Sequence, residues 1–213
     1  MASLQQLIQR YPSESFSKGQ TLLLKDETPK AVYVIEKGLV KAYTITSDGA
    51  ERQVKIHEAG EDIPLGFGLG LIDHAEYFYE AYSSSCVIRF VPRAAFSEHL
   101  RSDAEAMYQH HVKLASQLIN TLEQISALEH PKASDKVAFM LLHMANQVGT
   151  KIRPYKTRLK LSVTQQEIAD ALGLTRETTG AELKKLELKN IISSSRKSYV
   201  LYMERLKRYL NGR

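Results

Sequence analysis

The sequence has almost no cysteine, and this absence excludes several kinds of cross-link and metal site. Cys86 is the only cysteine among the 213 residues. A single thiol excludes an intramolecular disulfide, a thiolate zinc site and an iron–sulfur cluster held by several cysteines of one chain. One unpaired cysteine agrees with a reducing compartment, and we therefore expect a cytoplasmic protein.

Long apolar runs and the motifs of enzymes are missing as well. No stretch approaches about 18 consecutive apolar residues, so no transmembrane helix is predicted. Residues 1–7 have neither a basic region nor a long apolar region, so no secretory signal is predicted. We find no paired carboxylates, no nucleophile–base pattern, no phosphate loop and no histidine spacing typical of metal ligands. The sequence therefore predicts neither an enzyme nor a bound metal or other cofactor.

Charge is distributed unevenly along the chain. The net charge is +5 at pH 7, yet residues 1–130 hold 12 Lys and Arg against 17 Asp and Glu, a net charge of −5. Residues 131–213 hold 17 Lys and Arg against 7 Asp and Glu, a net charge of +10. Opposite signs indicate two domains with different partners, and a basic terminal portion is typical of a protein that binds a polyanion. A solvated basic surface is the alternative explanation.

Between Gln20 and Val91, short apolar stretches alternate with turn signals. Stretches rich in β-branched and aromatic residues, which favour strands, occupy 21–24, 31–35, 39–45, 53–57 and 84–91. The turn signals between them include Glu36-Lys37-Gly38 and Ser47-Asp48-Gly49. Closely spaced strands without helices between them predict an antiparallel barrel or sandwich.

A long helical pattern follows Pro92 and ends at His130-Pro131, because proline lacks an N–H and restricts the residue before it. Its seam positions, spaced by four and three residues, are Met107, His111, Leu114, Leu118, Thr121, Ile125 and Leu128. This spacing favours a coiled-coil dimer interface. Ile119 and Leu122 widen the stripe, so packing of the helix against its own barrel is the alternative. The predicted domains are residues 1–100, a dimerisation helix and hinge at 101–130, and residues 131–213.

The basic C-terminal portion contains the pattern of a helix-turn-helix. A first helix is predicted over 135–148 and ends at Gly149. The stretch 164–167, TQQE, has the spacing of a capping box at a second helix start, and Gly173 can turn the chain sharply. Thr175 starts a third helix that reaches about Lys189. A hairpin wing over 191–202 and a short last helix follow.

The exposed first turn of that third helix, which enters the major groove in such motifs, carries Arg176, Glu177 and Thr178. Arg176 can donate two hydrogen bonds to guanine, and Glu177 can accept one from cytosine. The other side chains predicted to contact DNA, mainly its phosphates, are Thr175, Gln165, Gln166, Lys184, Lys185, Arg196 and Lys197. Alternatively, Glu177 only stabilises the helix N-terminus and Arg176 is a solvated charge.

These segments resemble the DNA-binding signature of the cyclic-AMP receptor protein and fumarate–nitrate reductase regulator (Crp/Fnr) family of bacterial transcription factors. The resemblance is carried by 164–169, 173–178, 183–187 and 190–192, and more loosely by Lys18-Gly19, Lys37-Gly38, Asp48-Gly49 and Gly60-Glu61-Asp62-Ile63. It implies an α+β fold with an N-terminal antiparallel β-roll (cyclic-nucleotide-binding-like, a double-stranded β-helix), a long dimerisation helix and a C-terminal winged helix-turn-helix. It also implies a homodimer on a pseudo-palindromic operator, RNA polymerase as a partner and, in many relatives, activation of transcription.

The chain departs from the family pattern on the third helix. Relatives often carry a second arginine five residues after the first, where this chain has Ala181, so we expect the operator to differ at that base pair. Thr179 and Glu182 stand where branched apolar residues are common in the family. We expect Thr179 to pack through its methyl group and Glu182 to be exposed.

The β-roll lacks an arginine that cyclic-nucleotide binders of the family use for the cyclic phosphate, since none occurs between Arg52 and Arg89. Without this bidentate charged partner, we expect neither cyclic AMP nor cyclic GMP to bind. The residues of a possible pocket for another ligand are Phe67, Gly68, Tyr77, Tyr79 and Tyr82. Alternatively, these residues only pack in the hydrophobic core.

The alternative function for the whole protein is a ligand-binding sensor module that acts through a protein partner rather than through DNA.

Overall fold

The computed structural model describes residues 7–47, 49, 51–159, 164–195 and 198–211, without the side chains of Gln147 and Val148. Contacts within the chain divide it into two compact units, Met1–Ser116 and Gln117–Arg213. Within the described ranges, no helix is both long enough and apolar enough to span a membrane.

The first unit is built from two antiparallel sheets. Its strands are β1 (Ser13–Phe16), β2 (Thr21–Leu23), β3 (Val32–Lys37), β4 (Leu39–Ile45), β5 (Glu51–Glu58), β6 (Asp62–Ile63), β7 (Phe78–Ala81) and β8 (Cys86–Val91). One sheet has the strand order β1-β8-β3-β6, and the other has the order β2-β7-β4-β5. The turn predicted at 47–49 lies between β4 and β5, although Asp48 itself is outside the described residues. The predicted antiparallel β-roll is confirmed.

Strand β3 is buried on both faces, because an apolar cluster lies on each side of it. Tyr33 and Ile35 belong to the cluster that also takes side chains from β4, β7 and β8. Successive strand residues point to opposite faces, so Val32 belongs to a second cluster together with Phe96 and Leu100. The last two lie on the helix α1 (Arg93–Ser102). Burial on both faces accounts for the unbroken apolar run in the sequence of this strand.

The long helical pattern after Pro92 forms two helices, α1 and α2 (Ala104–Glu129), rather than one. Asp103 separates them, and its Oδ1 accepts hydrogen bonds from the N–H groups of Glu105 at 3.0 Å and Ala106 at 3.1 Å. These bonds satisfy donors at the start of α2, so a new helix begins there. As predicted, α2 ends just before Pro131.

The second unit contains the predicted helix-turn-helix and wing. Its elements beyond α2 are α3 (Ala133–Val148), β9 (Gly149–Arg153), β10 (Lys156–Leu159), α4 (Gln165–Leu172), α5 (Arg176–Leu188), β11 (Ile192–Ser195), β12 (Ser198–Tyr202) and α6 (Met203–Asn211). The strands form one sheet in the order β11-β12-β10-β9. The predicted helices and the wing hairpin are confirmed, whereas the hairpin of β9 and β10 was not predicted.

Gly149 ends α3 as predicted, but its backbone is extended, with a φ of −76°. Glycine is needed here for space, because a side chain would overlap the carbonyl oxygen of Ala145 and the methyl group of Thr157. Strand β10 can therefore lie directly against the end of α3.

One apolar cluster fills the core of the second unit. It joins α3, α4, α5, α6 and the sheet through side chains that include Leu141, Ile168, Leu183, Leu201 and Leu206. Burying a large apolar side chain contributes about 1.5–3 kcal/mol. The packing of α4 and α5 against this cluster therefore determines how the two helices cross.

Candidate nucleic-acid interface

Helix α4 begins with the capping box that the sequence predicts. The Oγ1 of Thr164 accepts a hydrogen bond from the Glu167 N–H at 3.1 Å. In return, Oε2 of Glu167 accepts hydrogen bonds from the Thr164 N–H at 2.6 Å and from the Thr164 hydroxyl at 2.9 Å. Side chains thus satisfy two backbone donors, which fixes the residue at which α4 starts.

The turn between α4 and α5 is short and tightly bonded. Gly173 ends α4 in the left-handed conformation, with φ 63° and ψ 31°, which glycine adopts without steric cost. Thr175 then caps α5, since its Oγ1 accepts a hydrogen bond from the Thr178 N–H at 3.1 Å. Its hydroxyl also donates to Thr178 Oγ1 at 3.0 Å. These contacts set the position at which the first turn of α5 begins.

The two helices cross through small and apolar side chains. The buried residues are Ile168, Ala169 and Leu172 of α4, and Thr179, Leu183 and Leu186 of α5. Because an α-helix has 3.6 residues per turn, the opposite side of α5 carries Glu177, Ala181 and Lys184, all of which are exposed. We call this side the outer face of α5.

Most residues predicted to contact DNA lie on the surface of α4 and α5. The exposed ones are Gln165, Gln166, Thr175, Arg176, Glu177, Lys184 and Lys185, and Thr178 is half-buried. Arg176 and Glu177 occupy the first turn of α5, and within the described part of the chain neither side chain has a hydrogen-bond or ion-pair partner. Arg196 and Lys197 lie outside the described residues.

Besides Thr175 and Thr178, three more of the predicted contacts have partners within the chain. The Gln166 amide donates a hydrogen bond to Asp170 at 2.8 Å, and the ammonium groups of Lys184 and Lys185 lie 3.6 and 2.7 Å from the carboxylates of Glu187 and Glu182. Ion pairs at the surface, such as that of Lys184 with Glu187, contribute little to stability, so a phosphate can replace this carboxylate at small cost.

The structure corrects one expectation and confirms another on α5. Glu182 is not exposed, since its side chain retains only 12% of its accessible surface. Its carboxylate stays paired with Lys185, and this pairing offsets the loss of hydration. Thr179 is completely buried, as expected for a side chain that packs through its methyl group.

The turn between β9 and β10 carries a second basic surface that the sequence analysis missed. Three basic residues, Arg153, Lys156 and Arg205, and one acidic residue, Glu204, line a groove of about 480 Å³ together with Tyr155 and Tyr202. The Lys156 ammonium lies 4.6 Å from the centre of the Tyr202 ring. The available signals were the excess of Lys and Arg over 131–213 and the three basic residues around Tyr155 in the stretch 151–156.

Two family models match the chain, the cyclic nucleotide-binding domain over residues 13–103 and the Crp-like helix-turn-helix domain over residues 135–209. The chain belongs to the Crp/Fnr family of transcription regulators. Both matched stretches contain the elements described above, the two sheets in the first and the α4–α5 pair with its wing in the second.

Relatives of this Crp/Fnr regulator align over most of its length. The cAMP-activated global transcriptional regulator CRP of Escherichia coli O6:H1 is 27% identical over 197 residues, which cover 92% of this chain and 89% of that protein. The nitrogen fixation regulation protein FixK of Azorhizobium caulinodans is 28% identical over 190 residues, 89% of this chain and 75% of that protein. The structure of FixK2 from Bradyrhizobium japonicum matches with a TM-score of 0.76 at 24% identity, covering 93% of this chain and 96% of that one, which shows the same fold.

In this regulator, the residues of the predicted ligand pocket pack in the core of the first unit. These residues are Phe67, Gly68, Tyr77, Tyr79 and Tyr82, and the rings of Phe67, Tyr79 and Tyr82 are buried. Phe67 packs in the cluster of Phe96, whereas Tyr79 packs in the cluster between the sheets. A side chain on Gly68 would come within 2.6 Å of the Phe96 ring. Core packing accounts for the burial of these rings, and a ligand pocket here stays a prediction.

Arg89 in strand β8 and Arg93 at the start of α1 already have partners. The Arg89 guanidinium donates a hydrogen bond to Glu36 at 2.8 Å, and the Arg93 guanidinium donates one to Asp73 at 2.8 Å.

Burial raises the pKa of the Cys86 thiol to about 11, which keeps the thiol protonated and unreactive. The described residues contain no group of three or more His, Cys, Asp or Glu side chains placed to hold a metal ion.

Helix α2 of the regulator has an exposed apolar face. Of the predicted seam residues, His111, Leu118, Thr121, Ile125 and Leu128 are exposed and Leu114 is half-buried. Met107 instead packs against the core of the first unit. The exposed residues that the prediction did not include in the seam are Tyr108, Val112, Ala115, Ile119 and Leu122. They repeat the spacing of four and three residues beside the predicted seam, and which of these residues form the dimer interface stays a prediction.

Proposed function

We propose that this protein is a cytoplasmic regulator that binds a pseudo-palindromic operator as a homodimer and acts with RNA polymerase. The observation that carries the proposal is the exposed first turn of α5, where Arg176 and Glu177 have no partner within the described residues. In helix-turn-helix proteins this turn enters the major groove. The net charge of +10 over residues 131–213 supplies the attraction to phosphates.

The chemistry of the first turn suits the reading of base edges. Arg176 donates two hydrogen bonds to O6 and N7 of a guanine, and Glu177 accepts one from N4 of a cytosine. Each such contact contributes about 1–3 kcal/mol of discrimination between bases. Gln165 and Thr175, at the starts of α4 and α5, hold phosphates together with nearby backbone N–H groups.

The exposed apolar face of α2 supports dimerisation. Leu118, Ile119 and Leu122 are each more than half exposed in the single chain, at 60%, 57% and 56%. A second copy of α2 covers these side chains in a coiled coil. Two-fold symmetry then places two recognition helices about 34 Å apart, which requires a pseudo-palindromic operator.

Selection of bound sequences from a random duplex pool, followed by affinity measurements on the selected operator, tests this proposal. We expect Arg176→Ala to reduce the preference for operator over random duplex by about 10- to 100-fold, because the guanine contact is lost. Arg208→Ala is the matched control, since it removes an equally charged, exposed side chain of α6. The control should weaken operator and random duplex to the same small extent.

The outcome that would contradict the proposal is a wild-type protein that enriches no sequence at moderate ionic strength. Equal effects of Arg176→Ala and Arg208→Ala on the preference would contradict the assigned role of Arg176.

We also propose that neither cyclic AMP nor cyclic GMP controls this regulator, although the Escherichia coli relative is named as cAMP-activated. The support is the lack of an arginine between Arg52 and Arg89, together with the pairing of Arg89 with Glu36 and of Arg93 with Asp73. A cyclic phosphate would therefore lack a charged bidentate partner. Isothermal titration calorimetry should show no binding of either nucleotide in the micromolar range, and micromolar binding would overturn the proposal.

A further inference from the structure

The outer face of α5 is polar in its first turn but small and apolar in its second. Glu177 and Lys184 are exposed there, and the exposed residue between them is Ala181. Its neighbour Gly180 has no side chain, and Oε1 of Gln165 lies 3.0 Å from the place that a Cβ would take there. The second turn of α5 therefore carries one exposed methyl group, since Glu182 of the same turn is paired with Lys185 and its side chain retains only 12% of its accessible surface.

A lone methyl group discriminates between bases in one way only. In the major groove all four bases present hydrogen-bond donors or acceptors, and only T adds an apolar C5-methyl group. An alanine placed against a donor or acceptor removes water without replacing its hydrogen bond, which is unfavourable. An alanine placed against the thymine methyl group buries two apolar surfaces against each other, which is favourable.

The distance along the helix limits where this base lies. Ala181 follows Arg176 by five residues, which is about 7.5 Å at the α-helical rise of 1.5 Å per residue. Base pairs are stacked about 3.4 Å apart. A helix that lies along the groove therefore places the two contacts within about two base pairs of each other.

We propose that Ala181 selects a thymine in each operator half-site by contacting its C5-methyl group, about two base pairs from the base that Arg176 reads. This inference rests on the proposed function, and it assigns base discrimination to a residue without a polar group. The amide of Gln165 lies beside this turn, at Gly180.

Replacement of single thymines by deoxyuridine in the selected operator tests the proposal, because uracil lacks only the C5-methyl group. For the wild type, we expect one thymine per half-site at which this replacement weakens binding about fourfold, the value of one buried methyl group. In Ala181→Gly the same replacement should have no effect, because the partner methyl group is gone. Any loss of helix stability that glycine causes lowers the affinity for the thymine and uracil operators equally, so the ratio of these two affinities within one variant is unaffected.

Ala171→Gly is the matched control, since it makes the same chemical change on α4. It should keep the fourfold ratio between the affinities for the thymine and uracil operators.

Ala181→Arg should change the preference at this base pair from thymine to guanine, because a guanidinium donates two hydrogen bonds to guanine. A selection that returns no preferred sequence refutes the proposed function itself. An operator with identical uracil effects in the wild type and Ala181→Gly, or an unchanged preference in Ala181→Arg, refutes only the role of Ala181.

Discussion

At the scale of single residues, His143 shows how burial sets a protonation state in the DNA-binding unit. It lies on α3 and is 9% exposed, and its Nδ1 is 3.5 Å from the Glu123 carboxylate without forming a hydrogen bond. Burial lowers the pKa of His143, and the attraction of Glu123 offsets only part of this effect. The folded protein therefore favours the neutral imidazole.

This preference predicts how stability depends on pH. Below about pH 6.5 the histidine of the unfolded chain binds a proton that the folded chain resists, so the free energy of unfolding should fall as the pH is lowered. The loss should continue until the pH passes the lowered pKa of the folded state. Urea denaturation at pH 5.5 and 7.5 should show a smaller difference for His143→Gln than for the wild type.

His74→Gln is the control, because His74 is an exposed histidine of the first unit. It should leave the pH dependence of the wild type unchanged. If His143→Gln and His74→Gln behave alike, burial of His143 does not govern the pH dependence.

At the scale of elements, α2 uses one side to complete the first unit and leaves another side uncovered. His110 is buried, and its Nε2 lies 3.2 Å from the Asp62 carboxylate of β6. Ala106 and Met107 contact the same unit. These contacts turn the helix so that its apolar face at Val112, Ile119 and Leu122 is exposed, which leaves a surface for a second copy.

Leu122→Glu should therefore disrupt the dimer. A carboxylate at this position would be buried against its own copy, which costs several kcal/mol and raises the dimer dissociation constant about 100-fold or more. In sedimentation velocity experiments, the wild type should sediment as a dimer and Leu122→Glu as a monomer. The variant should also lose its preference for a full operator over a half-site.

Leu71→Glu is the matched control, since Leu71 is an exposed leucine outside α2. It should sediment like the wild type. A dimer that persists in Leu122→Glu would mean that this face of α2 is not the interface.

At the scale of the whole molecule, charge distinguishes two portions of the chain. Residues 1–130 are acidic and residues 131–213 are basic, and the change of sign falls between α2 and α3. A polyanion is attracted to one portion and repelled by the other, which favours binding through α4, α5 and the wing. This division was visible in the sequence because charge depends on composition and not on contacts.

The sequence by itself determined the helix-turn-helix and the ends of its helices. The capping box at Thr164, the left-handed turn at Gly173 and the cap at Thr175 each depend on hydrogen bonds between residues at most five positions apart. Such local interactions act in every chain that carries the same few residues, so they can be inferred without knowing the rest of the fold. The same holds for the end of α2 before Pro131, because proline acts on its own backbone.

Only the tertiary structure decided which face of α2 is exposed, where the rings of Phe67 and Tyr79 pack and why Glu182 is not exposed. Two registers of α2, one starting at Met107 and one at Tyr108, are both rich in apolar residues. The choice between them depends on contacts such as that of His110 with Asp62, which is 48 positions away in the chain. Long-range contacts of this kind leave no periodic signal in the sequence, because either face of the helix could have packed against the β-roll.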